Sequence, residues 1–198
     1  MKGEYKSVVF SGVPGSGKST VVKIVAEKTG MPQLSLGDMW RKRWESSGSD
    51  KSFEAYWRDI PREENLAMTE KACQRVLDQA MIGDFRYVYP ICKQRVEKSS
   101  VGAGSIVLVF ITADIDTRVS RAWNTEKYNN VRSVRELKKV LNNREQDEVR
   151  AGRLLFGPGY DYRDEKYYDL IFNSRDTCPQ RIAQAVMRAI AKHPWDYL

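Results

Sequence analysis

Five short apolar segments along the chain have the character of β-strands. The clearest is Ile106–Thr112 (IVLVFIT), which is almost entirely apolar. Runs of this kind are typical of parallel sheets covered on both faces, because no position of the strand meets water. The sequence predicts this strand and four shorter ones, at Ser7–Phe10, Gln33–Leu36, Phe85–Tyr89 and Asp169–Asn173.

Helical patterns alternate with these strands. After a glycine-rich turn, an apolar stripe at Val21, Val22, Val25 and Ala26 has the spacing of one helix face. Further helices are predicted from Gly37-Asp38, from Pro61 to Ala80, from Asp114, and after two capping-box signatures, Ser133 with Glu136 and Thr177 with Gln180. Alternating strands and helices imply right-handed crossovers, so the predicted fold is an α/β parallel sheet with helices on both faces.

Composition narrows the possible functions. The 198 residues suit one α/β domain, and the net charge of +7 favours anionic partners, either phosphates or nucleic acid. The three cysteines are odd in number and widely spaced, so we expect a reducing, cytoplasmic setting and neither disulfides nor a zinc site. No segment has the pattern of a signal peptide or membrane span, so no membrane partner is expected. His193 is the only histidine, which disfavours histidine acid–base catalysis.

The strongest motif is GVPGSGKS at residues 12–19, a full match to GxxxxGK[ST] between a predicted strand and a predicted helix. Main-chain N–H groups of such a turn and the helix N-terminus bind phosphate. We expect Lys18 to bridge the β- and γ-phosphates of ATP, the Ser19 hydroxyl to be a Mg²⁺ ligand, and Thr20 to reach the α-phosphate. The other predicted ATP-binding residues are Gly12, Pro14, Gly15, Ser16 and Gly17. A turn that merely joins strand to helix is the alternative.

A second segment, LGDMWR at residues 36–41, resembles the (T/S)GDMxR-like segment of adenylate and cytidylate kinases. The sequence lacks the DxxG and NKxD motifs of regulatory GTPases, so a kinase is favoured over a GTPase switch. The resemblance implies that Arg41, with Asp38, binds the phosphate of an acceptor nucleotide. A planar guanidinium suits that task because it can bind two phosphate oxygens at once. Because Asp38 and Arg41 lie three residues apart on one helix face, a surface ion pair is the alternative.

A third segment, REQDEVRAGRLLFG at residues 144–157, followed by YDLIFNS at residues 168–174, resembles archaeal-type cytidylate kinases. Arg118 and Arg121 resemble the RxxR at the start of that family's lid. Together with the glycine-rich segment at residues 12–19, a P-loop, these segments extend the resemblance over nearly the whole chain. It implies a single P-loop NTPase domain, a three-layer sandwich with sheet order 2-3-1-4-5. The implied parts are a core of residues 1–35, 83–120 and 165–198, an acceptor-binding insert of about 36–82 and a lid of about 121–160.

Arginines are concentrated in the predicted lid and just before it. A transferring phosphoryl group requires charge stabilisation and exclusion of water, and a closing segment rich in arginine supplies both. We therefore predict catalytic roles for Lys18 and for Arg118, Arg121, Arg144, Arg150 and Arg153. A solvated basic helix is the alternative for any one of these arginines.

Two positions depart from the family's pattern. Cytidylate kinases carry a Gly-Arg pair after the third strand, where this chain reads YPICKQR, so Lys93 or Arg95 is predicted to bind the acceptor instead. In another register, Gly83-Asp84-Phe85-Arg86 resembles the DGFPR segment of adenylate kinases, which makes Arg86 the phosphate ligand. Ala151 also stands where the family tends to place a lid arginine.

The function that the sequence predicts is transfer of the γ-phosphate of MgATP to a nucleoside monophosphate, with CMP or dCMP as the first acceptors. The predicted enzyme is a monomer or weak dimer. One alternative is a P-loop kinase for AMP or for a non-nucleotide metabolite. The other is a nucleic-acid-stimulated ATPase, which the absence of a recognised RNA-binding pattern disfavours.

Overall fold

The computed structural model describes residues 5–87, 89–92, 106–123, 125 and 128–191. Its central sheet is parallel, and its strands lie in the order β2-β3-β1-β4-β5. The strands are β1 (Ser7–Gly12), β2 (Gln33–Ser35), β3 (Ile82–Asp84), β4 (Ile106–Thr112) and β5 (Leu170–Asn173). The predicted class and the predicted strand order are both confirmed.

Helices connect the strands and cover the sheet. They are α1 (Lys18–Thr29), α2 (Leu36–Ser47), α3 (Phe53–Arg58), α4 (Arg62–Asp78), α5 (Ile115–Ala122), α6 (Val134–Phe156) and α7 (Pro179–Ile190). Helices α2 to α4 lie in the span predicted as the acceptor-binding insert, and α6 lies in the span predicted as the lid. That division of the chain stays a prediction. None of the helices in the described part of the chain is both long and apolar enough to cross a bilayer.

Both faces of the sheet are buried. On β1, Val8 and Phe10 pack with residues of α1 and α7, whereas Val9 packs on the opposite face with residues of α2 and α4. All three side chains are at most 1% exposed. Strands sandwiched in this way have no polar side, which explains the continuous apolar run of β4.

The third strand lies earlier in the chain than predicted. The prediction placed it at Phe85–Tyr89 and extended the preceding helix to Ala80, but α4 ends at Asp78 and β3 is Ile82–Asp84. Glycine and aspartate have low strand propensity, which led to their interpretation as a break. Pairing with both β1 and β2 outweighs that propensity, because this segment lies between two strands of a buried sheet.

One capping prediction is confirmed and the other is wrong. Ser133 caps α6 by accepting a hydrogen bond from the N–H of Glu136 at 3.1 Å. Before α7 the N-cap residue is Cys178, not Thr177, and no side-chain cap forms. Pro179 occupies the first turn of that helix, where its fixed φ angle and missing N–H cost nothing.

Gly83 is required by close packing in β3. A Cβ atom at this position would lie 2.9 Å from both Val9 Cγ2 and Phe85 Cε2, whose side chains are fully buried. We expect Gly83→Ala to lower the free energy of unfolding by about 1–2 kcal/mol, since overpacking outweighs the entropy gained from a less flexible unfolded chain.

Urea unfolding measures this effect, and Gly159→Ala is the matched control. A Cβ atom at Gly159 meets nothing within 4 Å and its φ is not positive, so we expect a change within about 0.5 kcal/mol. Equal unfolding midpoints for the two variants would contradict the packing argument.

Candidate active site

The P-loop connects β1 to α1 at the carboxyl edge of the sheet. The N–H of Ser16 donates to the carbonyl of Val13 at 3.1 Å, and α1 begins at Lys18. Gly15 has a φ angle of 82°, and a Cβ atom there would lie 3.2 Å from Arg118 Cβ. Glycine is therefore needed for both conformation and space. A tight turn beside a helix N-terminus is suited to binding phosphate through main-chain N–H groups.

The hydroxyl groups of the loop are consistent with a triphosphate and its metal ion. Ser16 Oγ is buried and has no hydrogen-bond partner among the described residues. Buried polar atoms are normally satisfied, so this oxygen marks a place where a ligand or water belongs. Ser19 and Thr20 are exposed in the first turn of α1. The predicted Mg²⁺ and α-phosphate contacts through these two hydroxyls are thus sterically open.

Lys18 forms an ion pair with Asp84, which ends β3. The two residues meet because β1 and β3 are parallel neighbours whose carboxyl ends reach the same edge. Burial lowers the pKa of Lys18 below its usual value, and the negative charge of Asp84 opposes that shift. Sequence reasoning missed Asp84 because it assigned Gly83-Asp84 to a helix break.

Arg118 and Arg121, on α5, lie behind the P-loop. Arg118 is 5% exposed and donates to the carbonyl of Pro14 at 3.3 Å and to Glu145 at 2.7 Å. Arg121 donates to the hydroxyl and the carbonyl of Ser174 at 2.8 and 2.7 Å. That hydroxyl in turn donates to the carbonyl of Ser16 at 2.7 Å. The structure therefore brings both predicted arginines to the loop, where they contact its carbonyl side.

A buried carboxylate, Glu148, connects helix α6 to the same loop. It accepts hydrogen bonds from Arg86 at 2.8 Å and from Arg144 at 3.2 Å, and Arg86 also donates to the carbonyl of Gly12. Burial disfavours the charged form of Arg86, but Glu148 outweighs that effect and raises its pKa above the usual value. Glu145 and Glu148 were not predicted as site residues.

The remaining two predicted lid arginines, Arg150 and Arg153, do not contact the P-loop in the part of the chain that the structure describes. Arg150 and Arg153 are exposed on α6, and Arg150 pairs with Asp147 of its own helix at 3.0 Å. Their predicted catalytic roles depend on movement of the lid and stay predictions.

In the predicted acceptor-binding insert, Asp38 and Arg41 form an exposed ion pair at 2.6 Å, and the guanidinium of Arg41 lies 5.5 Å from the ring centroid of Phe53. The structure thus forms the surface ion pair that the three-residue spacing also allowed, and the exposed Arg41 remains accessible to a phosphate. Lys93 and Arg95 lie outside the described residues. Arg86, the ligand in the other register, is engaged with the P-loop and Glu148.

A cavity of about 430 Å³ lies between the segment after β3 and the C-terminal end of α6. Its lining is mainly apolar and aromatic, with the ring of Tyr89 stacked on that of Tyr167 at 4.5 Å. Phe156, Pro158 and Tyr160 also line the cavity, and the ring of Tyr160 is stacked on that of Tyr167 at 5.4 Å. A cavity of this size and lining can accept a planar ring.

Comparisons with known proteins agree with this geometry. A family model described as an AAA domain matches residues 11–138. A cytidylate kinase of Sulfurisphaera tokodaii is 26% identical over 189 residues, covering 90% of this chain and 92% of the relative. An adenylate kinase of Encephalitozoon cuniculi is 29% identical over 119 residues, covering 60% and 65%. The solved structure of a shikimate kinase from Bacteroides thetaiotaomicron superposes with a TM-score of 0.58 at 15% identity, covering 91% of this chain and 98% of that one.

The loop, the paired Lys18 and the arginines at the loop are features of a P-loop phosphotransferase, and the chain is similar to nucleoside monophosphate kinases. Because the matched segment spans well over half of the sequence, the chain belongs to the AAA domain family.

Proposed function

We propose that this protein transfers the γ-phosphate of MgATP to a nucleoside monophosphate, with CMP or dCMP as the preferred acceptor. The observation that carries the proposal is that Lys18, Arg118 and Arg121 come together at one glycine-rich loop suited to phosphate. The matches to cytidylate kinases over most of both chains support the choice of acceptor.

In this proposal the chain's own residues position the phosphates and neutralise their charge. Main-chain N–H groups and Lys18 bind the β- and γ-phosphates, and Ser19 holds Mg²⁺, which supplies further neutralisation of phosphate charge when bound. Asp84, beside Lys18 at the end of β3, is placed to orient the ammonium group. The acceptor phosphate is already a nucleophile at neutral pH, so the mechanism requires no general base.

The acceptor lies on the opposite side of the cleft in this proposal. Arg41 binds its phosphate, with Lys93 or Arg95 as further candidates, and the aromatic cavity beside Tyr89 and Tyr167 takes its base. Arg144, Arg150 and Arg153 close over the phosphates with α6. Arg144 is linked to the P-loop through Glu148 and Arg86, whereas Arg150 and Arg153 are exposed and require the helix to move.

The experiment that tests this function is a coupled assay of ADP release with CMP, dCMP, UMP, AMP and no acceptor. We expect CMP or dCMP to exceed AMP by about tenfold or more in kcat/KM, because a site that hydrogen-bonds one base leaves its polar groups unpaired with another. A preference for AMP would favour the adenylate kinase alternative, which the partial match to such an enzyme supports.

Nucleic acid is the necessary control in that assay. If DNA or RNA stimulates ADP release in a strongly salt-dependent way and no monophosphate does, the protein is an ATPase that acts with nucleic acid and the proposal is wrong.

A further inference from the structure

Glu148 is a buried residue that accepts hydrogen bonds from four side chains, three at its carboxylate and one at its main-chain carbonyl. It is 8% exposed and lies on the inner face of α6. Its Oε1 accepts from Arg86 Nη2 at 2.8 Å and from Arg144 Nε at 3.2 Å, and its Oε2 accepts from the Tyr162 hydroxyl at 3.1 Å. The hydroxyl of Tyr87 donates to the main-chain carbonyl of Glu148 at 2.6 Å.

The two arginines that share Oε1 differ in their exposure and in their other contacts. The side chain of Arg86 is 18% exposed and also donates to the carbonyl of Gly12, at the start of the P-loop. The side chain of Arg144 is 37% exposed, so part of its guanidinium remains accessible to a ligand. Charge-assisted hydrogen bonds hold a planar guanidinium in one orientation. One carboxylate oxygen therefore orients both an arginine bonded to the P-loop and a second, more exposed arginine.

Glu145, one turn earlier on α6, repeats the arrangement. It accepts from Arg118 and from Arg163, each at 2.7 Å, and Arg118 also donates to the carbonyl of Pro14. The helix thus reaches two carbonyls of the P-loop through two carboxylate–arginine links. Both links run between the same helix and the same loop, so they couple the arginines at the P-loop to the orientation of α6.

We propose that Glu148 is a positioning residue for phosphotransfer, which orients Arg144 toward the transferring phosphoryl group and holds Arg86 against the P-loop. The inference rests on the function proposed above. A positioning role for Glu148 differs from a packing role because its effects on affinity and turnover would act through Arg86 and Arg144. Loss of the carboxylate charge should therefore change nucleotide affinity and turnover in molecules that are fully folded.

The decisive variant is Glu148→Gln, which keeps the shape of the side chain and removes its charge. Calorimetric titration with MgADP reports on the Arg86 link, and kcat with the best acceptor reports on the Arg144 link. We expect the MgADP Kd to rise about tenfold and kcat to fall about 10- to 100-fold, the range typical of residues that orient a group in direct contact with the ligand. Asp116→Asn is the control, since it removes an exposed ion pair between α5 and Lys138 of α6 and should change neither value.

A double-mutant cycle identifies the route. If Glu148 acts on turnover through Arg144, then Arg144→Ala and Arg144→Ala/Glu148→Gln should have kcat values within about threefold of each other. Fully additive losses would overturn that link. A Glu148→Gln variant that melts at a lower temperature but keeps the wild-type Kd and kcat per folded molecule would show a structural role alone and overturn the whole inference.

The same measurements distinguish failure of this inference from failure of the proposed function. If the wild-type protein phosphorylates no monophosphate, the Arg144 part of the inference falls with that function. The MgADP affinities of the wild type and Glu148→Gln still decide the Arg86 part, because that measurement needs no acceptor.

Discussion

Replacing Lys18 with methionine is expected to reduce kcat/KM for MgATP by about a thousandfold or more. Lys18 is the only P-loop side chain that carries a charge to the β- and γ-phosphates in the proposed complex, and charge stabilisation in a water-poor site accounts for most of phosphotransfer catalysis. Methionine has a similar length and no charge, so the variant removes the interaction with little change in shape. The coupled assay and MgADP calorimetry measure the loss.

Lys23→Met is the matched control, because this lysine lies on the same helix and is exposed, 3.9 Å from Glu27. It should retain full activity. Asp84 loses its partner in the Lys18 variant, so Lys18→Met/Asp84→Asn should be measured too. Activity within tenfold of wild type in either Lys18 variant would contradict the assignment of the phosphate site. The same loss in Lys23→Met would show that the effect is not specific to the loop.

The parts of the fold that the sequence predicts are those set by local pattern. The GxxxxGK[ST] motif and the apolar run of β4 correctly placed the loop and the centre of the sheet. Strand β3 was misplaced because its three residues include Gly83 and Asp84, and its strand character comes entirely from pairing with β1 and β2. That pairing joins segments distant in sequence, which no local window reports.

The same contrast between local patterns and long-range contacts applies to the candidate site. Lys18 follows from a motif of neighbouring residues, whereas the bond between Arg86 and Glu148 joins positions 62 residues apart. One signal for Glu148 was present in the sequence. It shares the inner stripe of α6 with Leu141 and Leu155, and a charged residue on an apolar stripe is expected to have a buried partner. The same periodicity places Arg150 and Arg153 on the exposed side.

Replacing Arg118 with alanine is expected to lower both stability and activity. Its side chain is 7% exposed and bridges Pro14 of the P-loop and Glu145 of α6. Removal of one partner of a buried ion pair leaves an uncompensated charge, which typically costs about 3–5 kcal/mol. Because Glu145 keeps its bond to Arg163 at 2.7 Å, we expect a value near the lower limit, about 3 kcal/mol. Turnover should fall about a hundredfold, since the loop loses a cation beside its phosphate-binding turn.

Urea unfolding and kcat, measured well below the melting temperature, separate these two effects. Arg135→Ala is the control, because Arg135 is exposed on α6 and surface substitutions change stability by only about 0.5 kcal/mol. Arg118→Lys should recover part of the stability but little of the turnover, since an ammonium group cannot bridge both partners as a planar guanidinium does. Full turnover in Arg118→Lys would show that only the charge at this position matters, and full turnover in Arg118→Ala would exclude Arg118 from the catalytic set.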